Sequence, residues 1–202
     1  MPRIVDHEER RRELATSVWS IIRTDGIEAV TIRALAERSG WSSGAVRHYL
    51  PTREAILEFA AGQVAAEARR FIESRPVTGD AVQDFRTALL ATLPLTADTR
   101  AYLETWLAFV GAAVTGQGPA QKALLYDDLH SFLVETLTGF AADGRLATGS
   151  VGAVAISLHA LLDGLAVHLL LHQITGREAE DAVDRWLAGS LVVPDPVREP
   201  AS

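Results

Sequence analysis

The chain has 202 residues, a net charge of −7, 48% apolar and 22% charged side chains, 15 glycines, 8 prolines and no cysteine. This apolar content can bury a substantial core, which excludes a wholly disordered chain, and the missing cysteine excludes disulfide scaffolds, thiolate catalysis and cysteine-containing zinc sites. Abundant Ala and Leu with few turn formers favour an all-α fold over a sandwich or barrel of short strands.

Charge is unevenly placed. Residues 1–55 carry nine arginines against eight acidic residues, whereas residues 56–202 carry ten basic against eighteen acidic. Any polyanion contact is therefore expected at the N-terminal end. No charged leader followed by an apolar segment and a cleavage site opens the sequence, so the expected location is cytoplasmic. The most apolar stretch, Val151 to Leu171, is interrupted by His159, Asp163 and His168. Each is costly in lipid, so the stretch reads as a buried helix rather than a membrane span.

In chain order, Asp6 is placed to cap a first helix, with Glu9 three residues on, and Asp25-Gly26 to end it. Leu14, Val18, Ile21 and Ile22 recur on one face at helical spacing. Thr31 caps a short helix, Ile32 to Arg38, closed by Ser39-Gly40, and Ser42 caps a second that runs to Tyr49. Pro51 forbids its smooth continuation, and Thr52 opens a helix from Arg53 to about Ser74. Arg75 to Gly79 is the candidate junction. Further helices are expected over about 80–93, 98–115, 119–142, 150–174 and 177–191, the last with a Thr175–Glu178 capping box. The proline-containing tail, residues 193–202, is expected to be disordered.

Two short helices joined by Ser39-Gly40-Trp41 and packed on a longer preceding helix form a helix-turn-helix layout. At 3.6 residues per turn Val46 and Leu50 point inward, leaving Ser43, Gly44, Arg47 and His48 to face a groove. Arg47 has the bidentate donor fork suited to a guanine edge. Ser43 and Ser42 offer hydroxyls to base or phosphate, and Gly44 and Ala45 let the backbone lie close to the duplex. Thr31, Arg33, Tyr49, Thr52 and Arg53 supply phosphate contacts that orient without reading sequence. The plainer alternative is a helical hairpin with solvated arginines.

The run "TIRALAERSGWSSGAVRHYLPTREAIL", Thr31 to Leu57, resembles the DNA-binding signature of the TetR family of bacterial transcriptional repressors. Within it, "VRHYLPTREAIL" is most similar to the branch that includes the choline-responsive BetI-like repressors. Trp41 stands where that pattern has a small aliphatic residue, Arg47 where it often has tyrosine, Leu50 where it has phenylalanine and Arg53 where it has lysine. The similarity lies in the DNA-binding half, so no effector is inferred from it. It implies a homodimer on a near-palindromic double-stranded DNA operator, with an N-terminal three-helix DNA-binding domain over 1–55, continued by the connecting helix 53–74. A C-terminal helical bundle over 56–192 would then bind a small-molecule effector and dimerise.

In that bundle His159 and Asp163 share a helix face, with His168 and His172 on the opposite one. If Gly164, Leu165, His168 and His172 form the dimer seam, with Leu161 and Trp186 beside it, then His159 and Asp163 face inward near Tyr102, Trp106 and Phe109. Those five would line an apolar site with a few polar groups, the usual makeup of a small-molecule site. The plainer alternative is ordinary core. His168 and His172 lack a third ligand, so no metal is assigned, and no cofactor. No G-x-S-x-G, phosphate-binding loop, H-E-x-x-H or dinucleotide fingerprint occurs, so an enzyme is not expected. The function read from the sequence is a ligand-responsive DNA-binding regulator, a repressor in sense; the competing reading is a helical dimerisation or small-molecule-binding module without sequence-specific DNA binding.

Overall fold

The computed structural model describes residues 7–73, 77–116 and 126–192. Among them are nine helices: α1 His7–Asp25, α2 Ile32–Ser39, α3 Ser43–Tyr49, α4 Arg53–Glu73, α5 Ala81–Ala91, α6 Ala97–Val114, α7 Asp127–Ala142, α8 Val151–Leu170 and α9 Gly176–Ser190. A single 3-10 turn, Ile27–Ala29, joins α1 to α2. The one strand-like pairing among the described residues is an isolated antiparallel bridge between Leu146 and Leu191. The expected all-α architecture is what forms. Residues 1–6, 74–76, 117–125 and 193–202 lie outside the described residues, and with them the Asp6 cap, the first two residues of the 75–79 junction, the start of the helix expected from 119, and the tail.

The chain divides into two compact units, one from Met1–Arg69 with Arg100–Tyr126, the other from Arg70–Thr99 with Asp127–Ser202. In the first, the α1 row Leu14, Val18, Ile21 and Ile22 is buried with Leu35 and Ala36 of α2, Val46 of α3, Leu50, and Ile56, Leu57, Ala60, Ala61 and Val64 of α4. Phe109 of α6 closes the same cluster. Three consecutive helices begin with the same device, an exposed hydroxyl accepting from the amide three residues on. Thr31 accepts from Ala34 N at 3.1 Å, Ser42 from Ala45 N at 3.1 Å and Thr52 from Ala55 N at 3.1 Å. Each satisfies one of the orphan donors of a helix start.

In the second unit Phe85 of α5 meets Phe132 and Phe140 of α7 at ring separations of 6.1 and 5.6 Å. Ala155, Leu158, Leu162, Ala166 and Leu169 form the buried row of α8, and Ala179, Val183 and Leu187 that of α9. The Thr175–Glu178 capping box at the start of α9 is present as expected. Among the described residues α8 is the one helix long and apolar enough to cross a membrane. Here its buried row is part of a bundle with α7 and α9.

Helix α8 stops earlier than its apolar pattern implies. The expected end was Ile174; the observed end is Leu170. His172 takes φ 55, its N–H donates to Leu169 O at 3.2 Å, and the Gln173 N–H donates to His168 O at 2.9 Å. This is a left-handed helix stop with a histidine at the position normally held by glycine. His168 and His172 therefore do not share a helical face at four-residue spacing, and the expected opposite-face histidine pair is not formed.

Helices α5 and α9 are tied by ion pairs from one arginine. Arg86 donates Nη2 to Asp184 Oδ2 at 2.9 Å and Nε to Asp184 Oδ1, with Glu180 3.7 Å away. The Arg86 hydrogen bond holds the Asp184 carboxyl below its ordinary pKa. A depressed carboxylate pKa means the contribution is present above the unfolded value and is lost as pH falls through the folded one. Asp184→Asn should lower stability at pH 7 by about 1 kcal/mol, the scale of a partly exposed charge-assisted pair. The deficit should vanish once the solution is more acidic than the carboxylate range. Guanidinium denaturation at neutral and acid pH reads both; equal midpoints at pH 7 would show that the pair holds nothing.

Candidate nucleic-acid interface and a buried polar cluster

Helix α3 has seven residues, too few to be stable alone, so its position is set by what it buries. Val46 is 0% exposed and Leu50 8%. Around that inward edge Ser43, Gly44, Arg47, His48 and Tyr49 are exposed and Ala45 is half-buried. Gly40, at φ 73, supplies the left-handed residue that turns the chain sharply from α2 towards α3. The outward set read from the sequence is therefore the set that projects.

Arg47 and Arg33 are exposed and make no hydrogen bond or ion pair among the described residues. The hydroxyls of Thr31, Ser42 and Thr52 accept one amide each, and those of Thr31 and Ser42 keep their own protons to donate, whereas Thr52 also hydrogen-bonds the Glu54 carboxylate. These are the chemical requirements for phosphate contacts flanking a helix that enters a groove.

Arg53 departs from the sequence expectation. Its Nε donates to Val30 O at 3.1 Å, and its Nη2 donates to Ile27 O at 2.9 Å and to Glu28 Oε2 at 3.2 Å. The guanidinium is committed inside the protein, holding the 3-10 turn against the start of α4. Arg38 is likewise committed, to Ser20 at 2.6 Å and Asp25 at 2.8 Å. No sequence signal marks the Arg53 role, because its acceptors are backbone carbonyls more than twenty residues away.

The sequence-proposed lining residues fall into both units. In the first, Phe109 is 0% exposed within the core, and Tyr102 and Trp106 are partly buried against the same cluster. In the second, His159 is 3% exposed, with its ring stacked on His130 at 5.8 Å and an interplanar angle of 21°. His159 Nε2 lies 3.7 Å from Asp163 Oδ1. Burial, with the neighbouring His130, pushes the His159 pKa down to about 4, and burial pushes that of Asp163 up to about 6. At neutral pH the imidazole is thus uncharged and the carboxylate ionised, so the two are not an ion pair. The His130–His159 stack was missed in the sequence because it joins positions 29 apart on different helices.

On the outer side of α8, Gly152, Ile156, Ala160, Gly164 and His168 follow one another at four-residue spacing and are exposed, Ile156 at 57%. Leu161 and, on α9, Trp186 are half-buried, and His172 is exposed beyond the helix end. Leu165 is buried within the chain itself, unlike the seam residue it was expected to be.

A three-helix head that fixes a short outward helix between capped neighbours, joined to a further helical bundle, defines a helix-turn-helix DNA-binding regulator. The family model for the C-terminal part of BetI-type transcriptional repressors matches residues 81–192. The chain belongs to the TetR family of transcriptional regulators, in its BetI-type branch. It is 29% identical over 191 residues to the HTH-type transcriptional regulator PksA of Bacillus subtilis, covering 92% of this chain and 89% of the relative. It is 26% identical over 170 residues to the regulator BetI of Burkholderia cenocepacia, covering 82% and 84%. Among solved structures it resembles a transcriptional regulator from Saccharomonospora viridis in complex with choline, with a TM-score of 0.77, 20% identity, and coverage of 92% of this chain and 100% of that one.

Two outcomes follow from the site geometry. Arg53→Gln should destabilise the first unit by about 1–3 kcal/mol, the cost of losing charge-assisted hydrogen bonds to the Val30 and Ile27 carbonyls and to Glu28, seen as a lower denaturation midpoint. A variant as stable as the parent would show that the turn does not need the fork. For the His159–Asp163 cluster the signs oppose. Between pH of about 4 and 6.5 the unfolded His159 binds a proton that the folded one refuses, so acidification destabilises. Between about 3.8 and 6 the folded Asp163 binds a proton that the unfolded one lacks, so acidification stabilises. The parent should show little net slope from these groups, Asp163→Asn should lose stability as pH falls through this window, and His159→Gln should gain it. Denaturation midpoints across the window, taken relative to the parent, check this, and parallel profiles for all three proteins would refute it.

Proposed function

We propose that the chain acts as a homodimer seating α3 of each protomer in successive major grooves of a near-palindromic operator. On this reading a small-molecule effector bound in the C-terminal helices shifts the dimer to a spacing of reading heads that no longer fits both half-sites. The observation that carries it is α3 itself: Val46 and Leu50 are buried beneath, while Ser43, Gly44, Arg47 and His48 stand clear. Thr31, Ser42, Thr52 and Arg33 border that face as phosphate contacts, and Tyr49 is exposed at its end.

The dimer is supported by the exposed row of α8. Small residues at Gly152, Ala160 and Gly164 let a second helix approach closely, and Ile156 gives it apolar area to cover. His168 and the half-buried Leu161 and Trp186 border this row. For the effector, the polar cluster of His159, Asp163 and His130 is the feature of the second unit with chemistry to offer, since burial has displaced two of its pKa values. The reading makes the chain a binding protein rather than an enzyme, at work in the cytoplasm on double-stranded DNA, with repression as its sense of action.

Its test is fluorescence anisotropy with a duplex selected by the protein from a random-sequence library, against a scrambled duplex of the same composition. Arg47→Ala should cost about 1–3 kcal/mol of specific affinity and relax preference at one base position per half-site, with the dimer intact by light scattering. Equal affinity of the parent for selected and scrambled duplexes would leave a helical dimerisation module in place of a sequence-specific regulator.

A further inference from the structure

We propose that Arg10, held over the indole of Trp41, is a phosphodiester contact of the reading head that lies outside the helix-turn-helix. The proposal rests on the DNA-binding reading above and adds a residue to it. The Arg10 Cζ sits 5.5 Å from the Trp41 ring centroid, within cation–π range. Arg10 stands one turn before Leu14 on α1, and Leu14 and Val18 are buried in the core shared with α2 and α3. The row of α1 that supports the reading head therefore emerges into solvent at Arg10, beside the turn that launches α3.

Trp41 is fixed on two further sides. It packs against the buried cluster, and its ring meets Tyr49 edge-on at 5.7 Å, with His48 meeting Tyr49 in turn at 5.5 Å. The rings thus connect the start of α1 to the exposed end of α3. A small aliphatic residue at position 41 would offer no face for the guanidinium to rest on.

Among the described residues the charge of Arg10 meets no carboxylate. Arg23, Arg38 and Arg53 each reach a carboxylate, whereas Arg10 is exposed and makes no hydrogen bond or ion pair among the described residues. A guanidinium resting on a ring keeps its N–H edges directed outward and has already lost much of its rotamer freedom. Contact with a phosphate then costs less ordering than for a free arginine.

The test uses the full chain with Arg10→Gln, Trp41→Leu and Trp41→Phe, and the selected and scrambled duplexes, titrated from about 50 to about 200 mM salt. Arg10→Gln should weaken both duplexes by a similar, several-fold factor and make the slope of log affinity against log salt shallower by about one. Trp41→Leu should weaken binding, and Trp41→Phe, which keeps a ring, should restore most of it. Thermal melts separate folding from contact. An Arg10→Gln variant with a lower melting temperature and an unchanged salt slope would make Arg10 a structural residue and overturn the proposal. If the parent selects no duplex, the DNA-binding reading falls and takes this inference with it; if the parent binds and the slope does not move, this inference alone falls.

Discussion

A helix of seven residues has no stability of its own in water, and the reading head is built around that deficit. Helix α3 exists because Val46 and Leu50 are buried against a row of α1 and the helices around it. Helix α2, with eight residues, is in the same position and buries Leu35 and Ala36. Every exposed side chain on α3 is positioned by side chains facing the other way. The serine and threonine caps then fix where each short helix begins, which sets its rotational phase and so the residues it presents.

The same requirement explains Arg53. A tight 3-10 turn joins α1 to α2, and the Arg53 guanidinium fork, from the start of α4, donates to the Val30 carbonyl and adds a second donor to the Ile27 carbonyl, which already accepts the Val30 N–H. The turn, α2 and α4 become one assembly through a residue that, on the surface pattern alone, belongs with the phosphate contacts. A lysine at the same place would supply one charge without the planar fork, so this position is more than a choice between two cations.

Much of the head was legible in the sequence because its determinants are local: an N-cap, a heptad fraction of apolar residues, a glycine stop and a proline within thirty residues. The failures are equally specific. Helix α7 ends at Ala142 and is closed by Gly144, φ 67, with Arg145 N donating to Phe140 O and the Arg145 guanidinium 5.3 Å from the Phe140 ring. That stop is readable, since glycine announces it. Helix α8 is closed by the same hydrogen-bond pattern with His172 as its left-handed residue, and neither the histidine nor the apolar residues before it announce anything. The His130–His159 stack was invisible for another reason, because a pairing between helices is a property of the packed bundle and leaves no mark at either position.

Pairing also revises what the arginine count means. The nine arginines of residues 1–55 look like a supply of phosphate ligands, yet several are spent within the head. Arg23 meets Glu104, Arg38 meets Ser20 and Asp25, and Arg53 meets Glu28 and two carbonyls. What remains uncompensated on or beside the α3 face is a small set, with Arg47 and Arg33 the clearest members. Affinity for DNA backbone scales with the number of phosphates neutralised, so a head that spends its cations internally binds nonspecific duplex weakly. Discrimination between sites then depends on a few directed contacts and on how firmly the buried side of α3 holds them in place.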